Sequence, residues 1–207
     1  MSGSPVAVGI EGPCCGGKTT LGRGLIRDFA GHRVAYVKDY SDHVGGGRFL
    51  PPAVPNSVTD EEVALRRFLA IEHERAATAR ASGSQLDLVL IDRSVHTLLA
   101  HCVALTRATG LDHSTAAKRI IHGSADPLWP DVILYLDVTH EAVRARNRGK
   151  FPPNSIFVDK SFNRSIQSYF AELAGVSHPR VVWLDATIDA TILLRQAAAE
   201  VAASLPR

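Results

Sequence analysis

The stretch Gly12-Pro13-Cys14-Cys15-Gly16-Gly17-Lys18-Thr19 constrains this chain more than any other. It matches G-x-x-x-x-G-K-[ST] at every fixed position. The apolar run Val6-Ala7-Val8-Gly9-Ile10 precedes it and reads as a buried strand. Leu21, Leu25 and Phe29 follow at four-residue steps, which places them on one face of a helix. A strand, a glycine-rich loop and a helix in that order make a phosphate-binding loop.

The chemistry explains the residue types. Backbone N–H groups of such a loop point inward at phosphate oxygens, and the helix N-terminus adds partial positive charge. Gly12, Gly16 and Gly17 let phosphates approach the backbone, with Pro13, Cys14 and Cys15 completing the loop. Lys18 is expected on the β- and γ-phosphates, and the Thr19 hydroxyl is free for Mg²⁺.

With 207 residues, the chain reads as a single α/β domain over 1–207. A net charge of +2 argues against a dedicated nucleic-acid binder. Met1-Ser2-Gly3-Ser4-Pro5 has neither the basic region nor the apolar core of a signal peptide, and no apolar run is long enough for a bilayer. The cysteines are Cys14, Cys15 and Cys102, with no C-x-x-C pair, which predicts free thiols in the cytoplasm. The Cys14-Cys15 pair has two readings. These are small residues filling a tight loop, or thiols at a helix N-terminus whose alkylation blocks nucleotide binding.

Strands are expected at Val6–Ile10, Arg33–Val37, Leu86–Ile91, Val132–Leu136 and Val181–Leu184. Helices are expected near Thr19–Ala30, Asp60–Ala81, Val95–Thr109, Ser114–Gly123, His140–Arg148, Phe162–Ala174 and Ala190–Ser204. The near-continuous apolar character of Leu88–Ile91 and Val132–Leu136 marks central parallel strands. The alternation predicts a three-layer fold, a parallel sheet covered by helices on both faces. Gly45-Gly46-Gly47 with Arg48 reads as a loop on the acceptor side, and Gly149–Asn154 as a second mobile loop. Trp129 and Trp183 read as core.

Further site residues lie at strand ends. Leu88–Ile91 runs into Asp92-Arg93-Ser94, which puts Asp92 where a Mg²⁺-organising carboxylate belongs and Arg93 near the transferring phosphate or acceptor. Glu11 is placed either to hold a Mg²⁺-bound water or to fix the loop. Asp39 is a candidate proton acceptor for an acceptor hydroxyl, and Lys38 a candidate partner for an acceptor phosphate. Arg144, Arg146, Arg148 and Lys150 form a basic run, with Arg144 and Arg148 one turn apart on a shared helical face. Such residues suit a helix C-terminus in any case. The favoured reading is a lid over 144–160 that neutralises charge on the phosphates, since the loop has no arginine of its own. His96 and His101 are candidates for the acceptor pocket, and no histidine spacing implies a transition metal.

These residues resemble the thymidylate kinase and deoxynucleoside kinase group of P-loop kinases. The resemblance rests on Ile10-Glu11-Gly12 through Lys18-Thr19-Thr20, Ile91-Asp92-Arg93-Ser94, Pro130 through Val138, Tyr169 through Ala174, and Leu184-Asp185-Ala186. It implies a P-loop NTPase fold with sheet order 2-3-1-4-5, a homodimer, and ATP with Mg²⁺. It also implies that Thr20 and Arg146 join the nucleotide contacts and that Phe68 and Arg75 face the acceptor. The sequence departs from thymidylate kinases at Val37-Lys38-Asp39-Tyr40, which stands where they carry T-R-E-P. A glutamate base stands there in deoxynucleoside kinases, and Asp39 is its counterpart. The expected activity is γ-phosphoryl transfer from ATP to a nucleoside monophosphate, thymidylate-like first. Alternatives are a nucleoside or another small hydroxyl compound, or a nucleotide-dependent switch with no acceptor.

Overall fold

The computed structural model describes residues 4–82 and 85–206, so Met1-Ser2-Gly3 of the N-terminal stretch lie outside the described residues. The chain runs β1 (Val6–Glu11), α1 (Lys18–Asp28), β2 (Val34–Val37), α2 (Tyr40–His43), α3 (Val58–Ala81), β3 (Leu88–Asp92) and α4 (Val95–Thr109). It continues through α5 (His113–His122), β4 (Val132–Asp137), α6 (His140–Asn147), α7 (Lys160–Leu173), β5 (Arg180–Asp185) and α8 (Ala190–Ser204). The strands form a five-stranded sheet in the order β2-β3-β1-β4-β5, with every pairing parallel. This is the three-layer α/β fold expected from the alternation of elements, with the strand order that the family resemblance implied.

Side chains alternate across the sheet, so each inner strand feeds two cores. Val8, Ile10, Leu88, Leu90 and Leu134 pack with Leu21 and Leu25 of α1 and Leu193, Ala197 and Val201 of α8. On the other face, Val89 and Ile91 meet Ala79 of α3, and Ile133 and Tyr135 meet Ala100 of α4 and Phe170 of α7. A further cluster joins α3, α4 and α5 through Leu65, Leu69, Leu98, Leu99 and Ile121.

Element ends are set locally. Gly17 caps α1 in the left-handed region at φ 99°, a conformation that glycine adopts without steric cost. Gly12 at φ 131° has no room for a side chain, because a Cβ would lie 2.7 Å from the Leu136 carbonyl oxygen. Ser94, Thr139 and Asp159 cap α4, α6 and α7 with side-chain oxygens.

Two expectations are corrected. Trp183 lies on the edge strand β5, where one flank has no neighbouring strand, and it is 37% exposed. It contacts Tyr135 rather than entering the core. Helix α6 stops at Asn147, and Arg148 takes φ 43° as its left-handed cap. Arg148 therefore leaves the helical face on which Arg144 sits.

Candidate active site

The carboxyl ends of β1, β2 and β3 lie side by side, because β3 is the central partner of both neighbours. They deliver Gly12, Lys38-Asp39 and Asp92-Arg93 to one edge. Lys18 opens α1 there, buried, with Nζ donating to the carbonyls of Gly12 at 3.1 Å and Pro13 at 2.8 Å. Burial pushes the Lys18 pKa down, and the Arg93 charge adds to the effect. The ammonium is thus held on neutral carbonyls, in surroundings that favour the arrival of negative charge.

Thr19 Oγ donates to Asp92 Oδ2 at 2.7 Å, joining the loop helix to the end of β3. The Tyr36 hydroxyl donates to the same oxygen at 3.0 Å. Asp92 is fully buried, and its Oδ1 has no hydrogen-bond partner among the described residues. Burial and the Asp92 charge push the Tyr36 pKa up, so its hydroxyl remains a donor.

Arg93 follows at φ 64°, a strained value for a non-glycine residue. Neighbouring bonds over-determine it. The Arg93 N–H donates to the Ile10 carbonyl at 3.2 Å. Arg75 Nη2 donates to the carbonyls of Asp92 at 3.0 Å and Arg93 at 2.7 Å. The strained turn aims the Arg93 side chain at Asp39 Oδ2, 2.8 Å away, and at Cys14 Sγ, 3.2 Å away. Burial opposes the Arg93 charge, but Cys14, Asp39, Glu11 and Asp92 more than offset it and raise its pKa. Asp39 caps α2, and its Oδ1 accepts from the N–H and hydroxyl of Ser41.

No protein-family model matches the chain. Thymidylate kinases of Xanthomonas oryzae pv. oryzae strains PXO99A and MAFF 311018 are 29% identical over 202 residues, covering 96% of this chain and 83% of theirs. A thymidylate kinase structure from Candida albicans superposes with a TM-score of 0.70 at 15% identity, covering 96% of this chain and 92% of that one. A deoxyadenosine kinase structure from M. mycoides superposes with a TM-score of 0.67 at 13% identity, covering 96% of this chain and all of that one. Over nearly its whole length the chain is similar to thymidylate kinases, and that similarity supports a phosphotransferase. The two structural likenesses establish its fold.

The donor set of this phosphotransferase fits Mg²⁺. Thr19 supplies a hydroxyl, and Asp92 supplies a buried carboxylate oxygen that lacks a partner. Hard oxygen donors in small number suit a cation that keeps most of its water. Among the described residues no cluster of three or more His, Cys, Asp or Glu side chains could hold a metal.

Glu11 is placed elsewhere. It is buried, and its oxygens accept from the N–H and hydroxyl of Ser94 and from the Thr97 hydroxyl. Burial raises its pKa, and those hydrogen bonds only partly counter the rise. Glu11 thus anchors the start of α4 behind the Asp92-Arg93 turn. It shares no hydrogen bond with Thr19 or Asp92.

In the segment of the expected lid, Arg144 and Arg148 are exposed and make no side-chain hydrogen bond among the described residues. Arg146 Nη2 donates to the Ala186 carbonyl at 2.8 Å, beyond the end of β5. Asn147 exchanges hydrogen bonds with the backbone of Phe151, which folds the 149–151 turn back onto α6. A cavity of about 470 Å³ between α6, α7 and the ends of β4 and β5 reaches the loop at Pro13.

Residues expected near the acceptor divide in two. Phe68 packs edge-on against Tyr40. Arg75 is fully buried and spent on Glu72 and three backbone carbonyls, those of Lys38, Asp92 and Arg93. His96 pairs with the Tyr169 hydroxyl at 2.7 Å, and His101 with the Ala53 carbonyl at 2.8 Å. Tyr36 and Glu72 escaped the sequence reading. Glu72 had a signal, since it falls on the apolar stripe Leu65, Leu69, Ala76 and Ala79 of α3 and a charge there demands a buried partner.

Proposed function

We propose that this chain transfers the γ-phosphoryl group of Mg·ATP to a nucleoside monophosphate, thymidylate-like first. The observation that carries the reading is the convergence of Lys18, the Thr19–Asp92 pair and Arg93 on one sheet edge. The Xanthomonas thymidylate kinases, alike over nearly the whole chain, support the acceptor class.

The residues divide the work. Loop amides from Gly12 to Thr20 and the Lys18 ammonium bind the phosphates. Thr19 Oγ and Asp92 Oδ1 would hold Mg²⁺, which would supply positive charge to offset that of the phosphate oxygens. Arg93 sits between loop and acceptor and stabilises charge on the transferring group. Arg144 and Arg148, with unspent guanidinium groups, close from the 144–160 lid, while Arg146 stays by the Ala186 carbonyl near the nucleotide. Positioning and electrostatics carry most of such a reaction, because its transition state is loose.

A second reading, a nucleoside or other hydroxyl acceptor, is favoured by Asp39. Its negative charge takes up part of Arg93 and offers a carboxylate to an O–H group. The similarity to a deoxyadenosine kinase structure agrees with it. In either case 1–207 acts as one kinase domain, a homodimer by analogy. Free thiols at Cys14, Cys15 and Cys102 suit the cytoplasm.

The deciding experiment measures ADP release from Mg·ATP against a panel of nucleosides and nucleoside monophosphates. Release that requires a monophosphate is the expected result, and release that requires a nucleoside selects the second reading. Slow hydrolysis indifferent to every acceptor overturns both and indicates a nucleotide switch.

A further inference from the structure

We propose that Tyr36 is a positioning residue for the metal-binding carboxylate, fixing Asp92 so that Oδ1 alone is open to a cation. The inference rests on reading Thr19 and Asp92 as the Mg²⁺ site.

The two oxygens of Asp92 differ sharply. Oδ2 accepts from Thr19 at 2.7 Å and from Tyr36 at 3.0 Å. Oδ1, equally buried, accepts from no described residue. A carboxylate held by one donor can turn about its terminal torsion, which has a broad, roughly two-fold profile, and exchange its oxygens. Donors from two separate elements, α1 and β2, remove that freedom. A buried carboxylate oxygen left without a partner is costly, and a hydrated cation supplies what it lacks.

The Tyr36 ring is itself seated. It lies over Gly22 of α1, where an added Cβ would come 2.8 Å from the ring Cε2. Glycine inside a helix is destabilising relative to alanine. At Gly22 the missing methyl is the space that the ring occupies. Gly22, Tyr36 and Asp92 therefore form a chain of support from helix through strand to the open oxygen.

The test is calorimetry of ADP binding to the full chain, once with Mg²⁺ and once with a chelator. In the unmodified protein Mg²⁺ should tighten ADP binding. If it does not, the metal-site reading fails and the Tyr36 role falls with it. Tyr36→Phe removes only the hydroxyl and should cut the Mg²⁺-dependent gain about tenfold, with affinity in chelator unchanged to within about twofold. Gly22→Ala, which unseats the ring, should give the same selective loss, and it decides the matter if Tyr36→Phe does not fold. If the unmodified protein shows the Mg²⁺ gain and Tyr36→Phe retains all of it, the proposal is overturned. It is overturned equally if affinity falls by the same factor with and without Mg²⁺, because that marks general distortion.

Discussion

Arg93 Nε lies 2.8 Å from Asp39 Oδ2, and this ion pair bridges the carboxyl ends of β3 and β2. Burial works to raise the Asp39 pKa, but Arg93, the Ser41 N–H and Lys18 outweigh it, so the folded value is depressed. A depressed carboxylate contributes fully above its unfolded value of about 3.9 and is lost as pH falls through the lower folded value. With a hydroxyl acceptor, the second reading, Asp39→Asn should lower kcat about 100-fold while leaving KM for ATP nearly unchanged. The kcat profile between pH 8 and pH 5 should carry no acid limb from Asp39. A limb near pH 6 that disappears in Asp39→Asn would contradict the ion pair.

Lys18 makes its hydrogen bonds to loop carbonyls rather than to another element, so its loss should spare the fold. Lys18→Met should keep its thermal midpoint close to that of the parent while kcat/KM falls by about 10²–10³. Unchanged turnover would remove Lys18 from the mechanism.

Arg75 and Glu72 form an ion pair with both side chains fully buried. Taking away one partner leaves an uncompensated charge, so Arg75→Met should cost about 3–5 kcal/mol in urea unfolding. Glu72→Gln added to the same chain should recover part of that loss. Additive penalties would show that the two side chains do not act as a pair.

His96 is buried and His101 half-buried, and desolvation pushes both pKa values down to about 4. The folded values are depressed, so the neutral rings stabilise the fold fully above an unfolded value of about 6.5 and lose that contribution as pH falls toward 4. By pH 5 each should have removed on the order of 2 kcal/mol. Urea midpoints at pH 7.5 and pH 5 measure the slope. His101→Gln, which keeps a donor for the Ala53 carbonyl, should flatten it, and an equally steep slope would rule out His101 as a source.

Cys14 Sγ accepts from Arg93 Nη2 at 3.2 Å, inside the phosphate loop. Alkylation with N-ethylmaleimide should abolish ADP binding, Mg·ATP should protect, and Cys14→Ser should resist inactivation. Full binding after complete modification of Cys14 would show that the thiol merely fills space.

Much of this site was legible in order along the chain. The Gly12–Thr19 loop and the Asp92-Arg93-Ser94 turn are local signals, because phosphate binding needs consecutive backbone groups and a sheet presents its strand ends together. Strand cores were equally legible, since inner parallel strands are apolar on both faces. The ends of elements were less so. Asn147 stops α6 one residue early through its bonds to Phe151, which a helical charge pattern does not reveal. Trp183 is apolar yet exposed, because only sheet order says which strand lies at the edge.

The sequence by itself determined the phosphate loop, the α/β alternation and the carboxylate at the end of β3, all written in neighbouring residues. Only the tertiary structure decided which oxygen of Asp92 stays open, that Glu11 serves the α4 start, and that Arg75 is spent on three backbone carbonyls. Each depends on groups 17 to 83 residues apart meeting at hydrogen-bond distance. Such meetings follow from strand order and side-chain direction, and neither is carried by any one stretch of sequence.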